Sequence, residues 1–171
     1  LSEPVSGLPQ DEPLFYLNRV SPKKLNTTLK ASANMIFVVT LDSETSDSNV
    51  LKGFLTPESR SMIKLDTSLF MSIRKDEFAK GQIILYLFGN TEKELVQKIK
   101  INKEKIKSLF EKRDRDRMVR KLFSSHEKGL EKLVKEEHSF QINIPVGWQQ
   151  AVSEPGFYWI RYLNGNKEQN V

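Results

Sequence analysis

The chain has 171 residues, 38% of them hydrophobic and 29% charged, with a formal net charge of +5. That apolar share is enough for a packed core and too high for a disordered chain, and no apolar run approaches the roughly 18 residues of a membrane span. Cysteine is absent and only His126 and His138 carry imidazoles. Disulfides, thiolate metal sites, cysteine nucleophiles and chemistry needing several histidines are thereby excluded.

Residues 1–13 (LSEPVSGLPQDEP) are punctuated by prolines that force extended backbone before them, which predicts an extended arm on the surface. A short strand follows over 14–20. Ser21 as N-cap and Pro22 as first helical residue open a helix of about three turns to Ala31, docked through Leu25 and Leu29. MIFVVTL (35–41) is β-branched and almost continuously apolar, as expected of a strand covered on both faces. Residues 42–61 begin with DSETSDSN and read as an irregular loop anchored by Phe54 and Leu55. Leu69, Met71 and Ile73 alternate with Phe70, Ser72 and Arg74, giving a second strand. KDEFAKG turns the chain at 75–81, and IILYLF (83–88) makes a third, central strand. So short a link predicts an antiparallel pair.

Thr91 and Glu94 form a capping box that starts a long basic helix over about 92–123. It holds 12 Lys and Arg against 6 Asp and Glu, and with no Gly or Pro between Thr91 and Lys128 it is expected to be continuous. At 100° per residue Leu95, Ile99, Ile106, Leu109 and Phe110 share one stripe. The stripe then runs into Arg113, Arg117 and Arg120, while Met118, Val119, Leu122 and Phe123 face the opposite side. The first half is therefore expected to pack on the sheet and the second half to leave it, burying its opposite face against another surface. A straight helix of that length would run about 48 Å, against a radius of gyration of about 15–16 Å for the whole chain.

Gly129 interrupts the pattern before a short helix carrying Leu130, Leu133 and Val134. Phe140, Ile142 and Ile144 alternate as a half-buried strand. Pro145 to Gly147 turn the chain, Trp148 to Val152 form a strand, and FYWIRYL (157–163) forms the last one, ahead of a polar tail. The sum is an α+β fold, a mainly antiparallel sheet with helices on one face, expected as a single domain over 1–171. The chain begins at Leu1 rather than Met, as a piece of a longer protein or a chain stripped of its leader would.

GLPQDEPLF (7–15), KDEFAKGQ (75–82), IPVGW (144–148) and YWIR (158–161), in this order, resemble an uncharacterised family of Bacteroidetes envelope proteins, domain-of-unknown-function family 4837, whose members look like lipoproteins. The resemblance spans essentially the whole chain. It implies residence in the cell envelope on the periplasmic side, with a lipid anchor that is absent from this chain, and further sequence on both flanks. It implies no reaction and no catalytic residue.

Candidate sites are few. His126 with Glu127, and Glu136-Glu137-His138, could donate to a metal, but the two imidazoles are 12 residues apart with no third, so no metal or cofactor is expected. Asp114 and Asp116 sit among arginines in EKRDRDR (111–117), which favours the ionised form of both and an ion-pair ladder over acid–base work. No nucleophile elbow, Walker loop or GxGxxG is present. The aromatic C-terminal hairpin offers an apolar ligand or partner surface at Trp148, Phe157 and Trp159, with Phe157 and Trp159 on one face and Tyr158 and Ile160 on the other. Met118 and Phe123 are the corresponding candidates on the helix.

The expected function is a non-enzymatic binding or structural module of the envelope, with an unidentified envelope protein or ligand as partner. The alternatives are an anionic-surface or nucleic-acid binder using residues 93–121, and an enzyme whose site is completed by flanking sequence. Acidic residues alternate with the basic ones along that helix and screen its field. Gel-shift assays at physiological salt are therefore expected to show no sequence-dependent binding; a submicromolar, sequence-dependent shift would contradict this.

Overall fold

The computed structural model describes residues 1, 3–4, 9–10, 12–164 and 167–170. They form two compact units, Leu1–Arg113 and Asp114–Val171, where the sequence suggested one domain. The boundary falls inside EKRDRDR, where seven successive charged residues leave nothing to continue the apolar stripe.

The first unit is built on a three-stranded sheet of order β1-β3-β2. β1 (Asn34–Thr40) pairs parallel with β3 (Ile83–Gly89), and β2 (Met71–Lys75) pairs antiparallel with β3. The antiparallel pair and the central position of IILYLF follow the expectation. Every residue of β3 is buried. Ile84, Tyr86 and Phe88 point to one side, with Phe37, Val39, Leu55 and Ile63; Ile83, Leu85 and Leu87 point to the other, with Leu95, Ile106 and Phe110. Helices therefore cover both faces, not one.

Residues 42–61 are not an irregular loop. They hold α2 (Ser46–Lys52) and the start of α3 (Pro57–Leu65), each capped by a threonine, Thr45 accepting from Ser48 N–H and Thr56 from Ser59 N–H. Polar residues at 42–49 obscured the periodicity, but the S/T caps were legible. Conversely the helix expected over 22–31 is broken into a 3₁₀ turn at Pro22–Lys24 and one α turn, α1 (Thr27–Lys30). Ser21 caps neither; its hydroxyl donates to Asp47, 2.9 Å away. Asn26 instead accepts from Leu29 N–H, the local side-chain bond that competes with helix continuation.

The long helix is interrupted once. α4 (Glu92–Ile101) and α5 (Lys103–Leu122) are separated by Asn102, whose backbone (φ −103°, ψ 17°) leaves the helical region. Its side-chain amide donates to Lys98 O at 2.9 Å, the same carbonyl that its backbone N–H uses. The ladder resumes at Ile106 N–H to Asn102 O, so the stripe stays in phase and Leu95, Ile106 and Phe110 share one cluster. Beyond it Met118 is 67% exposed, with Val119 and Leu122 also exposed. The second half of the helix thus leaves the first unit's core, but its opposite face, expected to be buried, is exposed at Met118, Val119 and Leu122.

Pro4 bridges Pro13 and Phe15 N–H donates to Leu1 O, which seats Phe15 edge-on to Phe110 at 6.2 Å. Leu8 lies outside the described residues. The KDEFAKGQ turn is held by Asp76, which has φ 56° and whose carboxylate accepts from Gly81 N–H. Gln82, fully buried, donates to Lys30 O and Ser32 O, and its carbonyl accepts from Phe78 N–H.

The second unit packs α6 (Lys128–His138) on an antiparallel sheet of order β4-β5-β6, formed by Trp148–Glu154, Phe157–Asn164 and Lys167–Asn170. Its core is Val134, Ile144 and Ile160. In residues 140–144 Ile142 and Ile144 point inward as expected, but Phe140 is exposed and the segment forms no ladder; a bridge nearby joins Pro145 to His126. The polar tail instead supplies β6. Gly129 lies inside α6.

Tyr86 gives this fold an alkaline limit. Its buried phenol donates to the Glu77 carboxylate at 3.1 Å, under the Arg74 guanidinium, and burial together with Glu77's charge pushes its pKa up to about 12 from 10.0. The protonated phenol is the form the fold favours. Its contribution is thus complete below pH 10 and is lost as pH rises towards 12, on the order of 2 kcal/mol. Absorbance titration at the phenolate band should show a phenol titrating towards 12 that Tyr86→Phe removes, together with the steep fall in stability over that window.

Candidate functional site

In the second unit the candidate aromatic residues do not form one surface. Trp148 packs with the core cluster beside Tyr162, 6.0 Å between centroids, whereas Phe157 is 55% exposed at the far end of the hairpin, opposite Glu154. Tyr158 and Ile160 face the core, so Phe157 and Trp159 occupy the other face, as alternation predicted. Phe123 is half-buried. A bulge between Gln150 and Val152 shifts the register that would otherwise have aligned the hairpin.

The polar candidates are brought into two clusters. His126 Nδ1 lies 2.8 Å from Glu131, whose Oε1 also accepts from Ile144 N–H. Glu127 accepts from Gly147 N–H at 2.7 Å. Two carboxylates thus clamp the IPVGW turn. The hydrogen bond from Ile144 N–H, helped by His126, holds the Glu131 pKa below its ordinary value. Among the described residues no group of three His, Asp or Glu could hold a metal ion. On α5 Asp114 pairs with Arg117 and Glu111 with Lys107, as the ladder reading expected of Asp114.

The second cluster joins Ser153, His138 and Glu137, a combination sequence spacing did not reveal. His138 Nε2 lies 3.0 Å from Ser153 Oγ, which donates to Glu137 Oε2 at 2.7 Å. Ser153 has a single hydroxyl proton. While it goes to Glu137, His138 Nε2 must carry the proton it shares with Oγ, and cannot act as base towards it. A nucleophilic triad places the carboxylate on the other ring nitrogen. This wiring ties the end of α6 to β4; it does not activate the serine.

The first unit holds a groove of about 1190 Å³ along the outer edge of β1. Its walls are Leu95, Val96, Ile99 and Phe110 on one side and Leu25 and Leu51 on the other. The sequence expected β1 to be covered on both faces; Phe37 and Val39 are buried on one face, and on the other Ile36 packs against the core while Val38 is 50% exposed, with β1 standing at the edge of the sheet. Tyr16 (82% exposed), Leu17, Val20 and Val96 are exposed in the same groove. Ile83 N–H donates to Ala33 O and Leu41 N–H to Gly89 O, so odd-numbered residues of β1 bond to β3. The N–H and C=O groups of Ile36, Val38 and Thr40 therefore point away from the sheet, and among the described residues no backbone group pairs with them. Residues 16–20, expected as a strand, form none.

An α+β unit with one open sheet edge in an apolar groove is what the fold defines. The chain belongs to the family described as Domain of unknown function (DUF8532), which it matches over residues 1–123. No curated protein and no solved structure matches the chain. The matched region contains the whole groove and ends one residue beyond α5. No helix among the described residues is long and apolar enough to cross a membrane.

The clamped turn generates a prediction. Glu131, with its lowered pKa, contributes stability that is present above its ordinary pKa of 4.5 and lost as pH falls through the lower folded value. Glu131→Gln should destabilise the second unit at neutral pH and flatten its acid unfolding. Gly147→Ala should cost about 1–3 kcal/mol, because φ is +91° and the added Cβ would meet Tyr162 at 2.8 Å. Urea melts of the two variants check both.

Proposed function

We propose that this chain is a non-enzymatic binding module of the bacterial cell envelope, with the groove along β1 as its binding surface. The observation that carries the binding reading is the convergence of Tyr16, Leu17, Val20, Val38 and Val96, all exposed and all lining one groove. Contiguous exposed apolar surface of this kind marks a site of interaction. The envelope reading rests on the four ordered motifs that resemble the Bacteroidetes family of lipoprotein-like envelope proteins, and includes the lipid anchor that this resemblance implies.

A solvatochromic apolar dye, anilinonaphthalene sulfonate, tests the surface. It should bind the full chain, and Val38→Asp should weaken binding at least fivefold while Phe157→Asp, on the exposed hairpin tip, leaves it unchanged. Equal effects of the two substitutions would overturn the assignment. Fractionation of cells producing the native protein tests the location, and recovery in the cytosol would overturn it.

A further inference from the structure

We propose that the groove takes an extended segment of a partner polypeptide, added as a new strand on the open edge of β1; this rests on the groove being the binding surface. The edge dictates the ligand's chemistry. Outward N–H and C=O groups recur at Ile36, Val38 and Thr40, over a length of about 13 Å. Only another extended backbone offers acceptors and donors at that repeat, whereas a lipid chain or small apolar molecule leaves them unpaired.

The two edges of the sheet are treated differently. β2, the opposite edge, ends in Arg74 and Lys75, the charges that normally guard an edge against pairing. β1, NMIFVVT, has no charge and no proline. Its side chains alternate between two apolar walls, so the incoming strand presents uncharged apolar residues at alternate positions to both. The charged residues of the groove are Arg19, Asp47 and Glu92. Asp42 N–H bonds Asn90 O at the Thr40 end of β1, which brings the starts of α2 and α4, with Asp47 and Glu92, to that end. A basic residue at the matching end of the segment complements them.

Residues 16–20 select a single segment over a second copy of the sheet. Phe15 is seated on Phe110, on one face of the sheet, and Ser21 on Asp47, while Leu25 joins the cluster on the other face. The chain between them crosses the β1 margin as a strap, without backbone bonds to β1. Six residue steps reach about 20 Å, enough to arc over one strand lying about 4.8 Å beyond β1. A strapped edge cannot meet another sheet edge flush.

The test selects a phage-displayed library of random octapeptides on the full chain. Selected peptides should alternate apolar residues. Methylating their alternate backbone nitrogens, or substituting Val38→Pro in the chain, should weaken binding at least tenfold. Binding should also slow amide exchange at Ile36, Val38 and Thr40. The exchange and methylation measurements use the unaltered chain, so they decide the matter even if Val38→Pro misfolds. Peptides that are weakened by Val38→Asp but tolerate backbone methylation overturn strand addition and leave the groove as a binding surface. Failure of both dye and peptides to bind overturns the two readings together. Selection of no peptide while the dye binds overturns strand addition alone, and a dimer that protects the same amides without peptide replaces it with self-pairing.

Discussion

The first unit depends on one constraint, that β3 is buried along its whole length. A strand with both faces in the core needs apolar side chains at even and odd positions alike, and it needs a partner on each side to satisfy its backbone. β1 and β2 meet the second need, and helices on both faces meet the first. Truncation anywhere along Ile83 to Phe88 removes contacts from a layer that cannot readily collapse, a loss of about 2–5 kcal/mol per large side chain. Buried Gln82 at the head of the strand belongs to the same scheme. Its amide and carbonyl bind three backbone groups from two segments, so the turn before β3 and the residues before β1 are fixed by one side chain.

Satisfying β3 leaves the two outer strands unequal. Each has one unpaired edge, and their sequences answer this in opposite ways, β2 with charge and β1 with none. The unguarded edge is also where the exposed apolar residues collect and where the strap at 16–20 passes without pairing. The binding reading draws its force from this coincidence of an open backbone, a neutral strand and an apolar groove.

The second unit is secured differently. Its small apolar cluster is supplemented by polar ties: Glu127 and Glu131 on the IPVGW turn, and His138 through Ser153 to Glu137. Each tie spends side-chain groups that could otherwise serve chemistry. Glu131 is engaged by Ile144 N–H and His126, and Ser153 by Glu137. The same side chains therefore hold the turn and the end of α6 in place.

Periodicity and composition by themselves determined the α+β class, the central place of IILYLF, the antiparallel β2–β3 pair, the apolar stripe of the long helix and the point where it ends. These follow from local pattern, because a run's period and its neighbours' polarity fix which faces can be buried. Tertiary structure alone decided the rest. Whether MIFVVTL stood at the centre of the sheet or at its edge depended on which strand had a second partner, and nothing inside a seven-residue apolar run records that. The helices within 42–61 were hidden because their polar faces dominate the composition, and only the core they join shows their periodicity. Asn102 broke the long helix through one side-chain bond that helix propensity does not weigh. The Ser153–His138–Glu137 contact joins residues 15 apart across the step from α6 to β4, a proximity set by packing rather than by sequence spacing.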